Sequence, residues 1–131
     1  MSKLDISHYM QSRYVNGGRE WPEYDCWGMT RHAYHAIHGH ELPRFDGLDA
    51  ASGFGKSREY KRLAISMPEC DPKHGAIASV VRGKVCEHVG VCVEIAGAIY
   101  VLETTEETGP RVVTYKQFVK DHDYVKCHAH A

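Results

Sequence analysis

The 131 residues suffice for one ordinary domain that buries about two thirds of its unfolded surface, and a single domain over 1–131 is expected. Sixteen basic residues against 17 acidic ones leave a formal charge of -1, so no basic field marks nucleic acid as a partner. No stretch approaches about 18 uninterrupted apolar residues, which excludes a membrane-spanning helix, and no membrane partner is expected.

The opening MSKLDISHYMQSRY lacks the apolar core of a secretion signal, so synthesis in the cytosol is expected. Five cysteines, Cys26, Cys70, Cys86, Cys92 and Cys127, are odd in number and irregularly spaced, which fits reduced thiols better than a disulfide framework. Nothing in the pattern calls for a cofactor.

In chain order, Leu4, Ile6, Tyr9 and Met10 predict a short amphipathic helix over residues 4–13. Glycine and proline punctuate residues 16–22 as a loop. From residue 26 to 38 the chain reads CWGMTRHAYHAIH, with Cys26, Met29, Thr30, Ala33 and Ile37 at the spacing of a buried helical stripe. Asp25 precedes it as an N-cap and Gly39 ends it, with residues 42–45 extended beyond. A glycine-rich loop, 47–55, leads to a second helix over 57–65 with Tyr60, Leu63 and Ala64 inward. After Pro68 the segments 76–81, 88–95, 98–102 and 111–115 are short and β-rich, and read as an antiparallel meander. A brief helix over 116–122 and a last strand over 124–127 close the chain. The fold class is α+β, with N-terminal helices packed on a C-terminal antiparallel sheet.

Cys26 opens the first strong helix, where aligned peptide dipoles and free N–H groups lower a thiol from its usual value of about 8.5 and bind a developing oxyanion. The alternative is a small buried core residue. A thiolate also needs a base, and His88 begins a strand whose alternation places it on one face of the sheet. Cys86 is the rival nucleophile, but it sits in a strand and has no helix terminus. Cys92 reads as core.

The segment YVNGGREWPEYDCWGMTR, residues 14–31, together with HVGV at 88–91, resembles the paired motifs of the NlpC/P60 cysteine peptidases. The Asp-Cys-Trp-Gly form followed by Glu41-Leu42-Pro43 is most similar to the branch found in phage tail-assembly proteins. The resemblance implies a papain-like fold, Cys26 as nucleophile and His88 as base. It places the third polar residue on the strand after the base, at Glu103, with Thr104 the nearest substitute; many relatives have histidine there. A carboxylate at that place would fix the His88 tautomer and stabilise the imidazolium. The same resemblance implies that Tyr14, Asp25 and Trp27 line a pocket for a peptidoglycan stem peptide, cut most often between γ-D-glutamate and a diamino acid. Phage tail proteins would be the partners, and a virion tail or the periplasm the place of action. His74-Gly75-Ala76 departs from the Gly-Asp that the family commonly has before its first strand.

His32, His35, His38 and His40 lie mostly off the buried stripe and read as a solvated face rather than a metal site. His128 and His130 read as an unengaged tail. Trp21 and Trp27 flank Cys26, either as groove walls or as packing.

Overall fold

The computed structural model describes residues 4–47, 58–83 and 85–130. Most of the predicted glycine-rich loop, 48–55, lies outside the described residues, as does Ser57 at the start of the second predicted helix.

The N-terminal helix is shorter than its apolar pattern predicts: α1 covers Ile6–Met10 and buries Tyr9. Between it and the next helix lies a small three-stranded sheet where the sequence predicts only a loop. Its strands are β1 (Arg13–Tyr14), β2 (Arg19–Glu20) and β3 (Glu23–Tyr24), in the order β1-β3-β2. Tyr14 pairs in parallel register with Tyr24, and Arg19 pairs antiparallel with the same residue.

Helix α2, Cys26–His38, forms as predicted, with the Asp25 side chain accepting from the Gly28 N–H and Gly39 at the C-cap. Gly28 also lets the helix approach the preceding chain. A Cβ at that position would lie 2.1 Å from the Gly18 carbonyl oxygen, which is backbone and has little freedom to yield. Gly28→Ala is therefore expected to lower stability by about 3 kcal/mol, the upper part of the range for overpacking. A urea titration of the two proteins checks it, and a loss below about 1 kcal/mol would show that the two segments separate freely.

Helix α3 (Arg58–Ser66) precedes a six-stranded sheet with the order β4-β9-β5-β6-β7-β8. Its strands are β4 (Glu69–Cys70), β5 (Ile77–Arg82), β6 (Val85–Ile95), β7 (Ala98–Thr105), β8 (Gly109–Thr114) and β9 (Val125–His128), with helix α4 (Tyr115–His122) between the last two. The meander from β5 to β8 is as predicted. The last strand, however, returns to the far edge of β5, pairing Ala78 with Cys127, and β4 joins outside it.

Side-chain alternation divides the sheet into two faces. Val91, Val93 and Leu102 pack with Met29 and Ala33 of α2, whereas Cys92, Val101, Ala78 and Val80 pack with Phe118 of α4. Helices therefore cover both faces: α2 packs on the sheet as expected, and the short C-terminal helix α4 packs on its other face.

The C-terminal tail is engaged, contrary to its reading as idle. His130 Nδ1 lies 2.6 Å from the Tyr34 hydroxyl, and His128 Nδ1 lies 3.2 Å from the Met67 carbonyl oxygen. Two of the four histidines of α2 and its exit are also tied in: His32 to the Tyr9 hydroxyl at 2.8 Å and His38 to the Gly75 carbonyl at 2.9 Å. His35 and His40 are exposed.

Candidate active site

Cys26 is the first residue of α2 and is 2% exposed, packed with Trp27, Tyr60, Cys86 and Val89. The expectation of an acidified thiol is not met. Burial first, and then the charge of Asp25, push the Cys26 thiol well above the ordinary cysteine range. The backbone hydrogen bonds of Val89 and Trp27 act in the opposite direction without overcoming this. The helix terminus itself is present, with Cys26 as the first residue of α2.

His88 lies in β6 and is 9% exposed. Its Nε2 is 2.7 Å from Oε1 of Glu103, which is 1% exposed. Strand β7 runs on to Thr105, so Glu103 belongs to the sheet rather than to the acidic turn after it. Gly90 makes the pairing feasible: a Cβ there would lie 2.7 Å from Val101 Cγ1 and 3.4 Å from Glu103 Cβ. The neighbouring Thr104 is equally buried, but its hydroxyl has no hydrogen-bond partner among the described residues.

Two residues that the sequence motifs do not mark complete this arrangement. Arg111 of β8 places Nε and Nη2 each 2.8 Å from Oε2 of Glu103, and His122 of α4 places Nε2 3.2 Å from Oε1. Arg111 is in turn held by Asp121 at 3.1 Å. Burial by itself would raise the Glu103 carboxyl. The hydrogen bond from His88 and the charges of His88, Arg111 and His122 outweigh it and hold Glu103 below its ordinary value. Between that lowered value and the usual carboxylate range near about 4.3, the unfolded chain binds the extra proton, so stability rises with pH across this window. The contribution is complete above the window and is lost as the pH falls through it. Melting temperatures across pH 3–6 are expected to fall more steeply on acidification for the native chain than for Glu103→Gln; parallel curves would contradict the assignment.

The substrate-lining residues implied by the resemblance are placed differently from one another. Tyr14 is half-buried in β1. Trp27 is fully buried, donates from Nε1 to the Pro43 carbonyl at 3.0 Å and packs against Phe45 and Tyr60 as part of the core. Asp25 is also fully buried, and both of its oxygens are taken. Oδ1 accepts from the Gly28 N–H at 2.8 Å and from Arg19 at 2.8 Å, and Oδ2 accepts from the Gly17 N–H at 3.1 Å. Its geometry is that of a cap and ion-pair partner, not of a free carboxylate awaiting an amine. Trp21, in contrast, is 47% exposed.

The structure brings His88 and Glu103 together. It sets Cys26 against the Val89 backbone, next to His88 in sequence, and among the described residues no hydrogen bond joins the Cys26 sulfur to the His88 ring. His88, Glu103 and His122 also form the group of potential metal ligands found among the described residues, their ligand atoms lying within 4.8 Å of one another. The Arg111 guanidinium already sits on the same carboxylate, and a cation placed beside it would meet like charge.

A helix that begins on a cysteine and packs on an antiparallel sheet carrying a histidine–carboxylate pair defines the papain-like α+β class. Within that class the sequence matches the NlpC/P60 family over residues 11–122, and the chain belongs to this family. NlpC/P60 proteins are in general cysteine peptidases or amidases that act on peptidoglycan. No curated protein matches the chain.

Proposed function

We propose that this chain hydrolyses an amide bond in peptidoglycan stem peptides, the γ-D-glutamyl to diamino-acid bond being the first candidate, and that it works from a phage or prophage tail. Cys26 attacks the carbonyl carbon, its proton passing to His88 as the C–S bond forms; His88 then protonates the leaving amine, and water cleaves the thioester. Glu103 orients His88 throughout. The observation that carries the reading is the buried His88–Glu103 pair at 2.7 Å, one residue from the Val89 backbone on which the Cys26 sulfur rests. A raised thiol fits proton transfer during attack better than a preformed thiolate. In this reading the sulfur-to-ring contact closes with substrate bound, since catalytic hydrogen bonds are often loose without it.

Digestion of purified peptidoglycan, with mass analysis of the released peptides, tests the proposal. New termini at the γ-D-glutamyl bond support it. Unchanged muropeptides beside activity on another acyl substrate would point instead to an effector amidase or acyltransferase on the same fold.

The burial of Cys26, without a hydrogen bond to His88, favours a second reading: a tail-assembly module that retains the fold and no longer uses the chemistry. In that case Cys26→Ala leaves particle assembly and infection unaffected.

A further inference from the structure

We propose that His122 is a positioning residue: by sharing one oxygen of Glu103 with His88, it keeps that carboxylate on the His88 ring and so fixes the ring in its Nε2–H tautomer. The inference rests on the reading of Cys26 as nucleophile and His88 as base, and it deepens that reading.

A carboxylate only accepts hydrogen bonds, so each imidazole nitrogen that contacts Glu103 Oε1 has to carry a proton. His88 reaches that oxygen with Nε2 at 2.7 Å, and His122 does so with its own Nε2 at 3.2 Å. With the proton on Nε2, Nδ1 of His88 holds the lone pair, and it is the nitrogen left to take a proton from a thiol.

Arg111 makes a second holder of Glu103 necessary. Its guanidinium occupies Oε2 through two nitrogens, and Arg–carboxylate pairs favour the bidentate fork in which both oxygens are engaged. Left to Arg111 alone, Glu103 would turn Oε1 toward the guanidinium and away from His88. His122 opposes that turn from the other side.

Helix α4 is built to hold His122 in place. Its N-terminus is capped by Thr114, and its Phe118 is fully buried. The His122 ring lies 4.6 Å from Phe118 and 4.9 Å from His88, centroid to centroid. Asp121, on the same turn, holds Arg111 at 3.1 Å. The last turn of α4 thus steadies both groups that set the orientation of Glu103.

Nitrogen-15 NMR of the imidazoles in the full chain, together with steady-state kinetics on muropeptides, tests this. The native protein should show His88 protonated on Nε2. In His122→Ala the signal should become a mixture of tautomers, and kcat should fall about tenfold, the effect of one charge-assisted hydrogen bond, with KM unchanged. His122→Gln, whose amide can donate to Oε1, should restore both. Should the alanine variant unfold, His122→Leu keeps the apolar contact with Phe118 and carries the same comparison. A variant lacking the donor that retains the pure Nε2–H tautomer and a native kcat overturns the proposal, as does a native protein whose His88 is protonated on Nδ1. Failure of the underlying reading looks different: either the native chain releases no peptide or Cys26→Ala remains active, while the tautomer comparison, which needs no turnover, stands and by itself decides the role of His122.

Discussion

Cys26→Ala is expected to abolish peptide release from purified peptidoglycan, with a loss on the order of 10⁵-fold in kcat. The size follows from the role. Without the sulfur no thioester forms, and only whatever transition-state binding the pocket supplies remains. Two controls separate a nucleophile from a packing residue, because Cys26 is also part of a buried cluster with Trp27, Tyr60, Cys86 and Val89. Cys86→Ala perturbs the same cluster, where its thiol meets the Tyr60 hydroxyl at 3.4 Å and the His88 carbonyl at 3.4 Å, and it should lower stability while leaving most of the activity. His88→Ala should match Cys26→Ala, and the double variant should be no worse than either, because members of one catalytic unit are not additive. Retention of activity in Cys26→Ala together with its loss in Cys86→Ala would transfer the role to the rival thiol. Retention in both would remove thiol chemistry altogether.

Local signals in the sequence suffice for α2 and for the β5 to β8 meander, since each rests on periodicity and on neighbouring turn residues. The small sheet of β1, β2 and β3 is not legible there. Each strand is two residues long, and Gly18, one of the glycines that mark a loop, is also what lets the chain pass close to the Glu23 carbonyl of β3. The insertion of β9 between β4 and β5 is equally hidden, because strand order depends on which apolar faces meet: Cys127 and Ala129 bury with Ala76, Ala78 and Phe118. At the site, His88 and Glu103 can be found because they stand in or beside motifs. Arg111 and His122 escape notice because they come from β8 and from the end of α4, and only the fold brings them to Glu103. The expected acidification of Cys26 fails for a physical reason. The motif shows a helix terminus, whereas the depth at which the sulfur sits depends on Tyr60, Cys86 and Val89, which lie far along the chain.

The largest structural effect is expected at Asp25, whose side chain joins the motif loop to the helix. Among the described residues, Asp25→Ala removes the carboxylate that pairs with Arg19, whose side chain is only 3% exposed and also donates to the carbonyls of Gly18, Arg44 and Phe45. Breaking one side of a buried ion pair costs about 3–5 kcal/mol, a large fraction of the roughly 5–15 kcal/mol that holds a typical domain together. Asp25→Asn separates the components. Its single acceptor oxygen can serve either the Gly28 N–H or the Gly17 N–H, and its amide group would face a second donor, so it should recover only part of the loss. Arg19→Met combined with Asp25→Ala should be less destabilising than Asp25→Ala alone, since the buried charge leaves with its partner. Urea titrations of the set give the stabilities, and KM for muropeptides, measured where each variant is folded, tests the other role that the family resemblance offers to Asp25. A carboxylate that holds the fold leaves KM unchanged. A raised KM in the folded asparagine variant, with stability near that of the native chain, would return Asp25 to the substrate pocket and assign the cap to other groups.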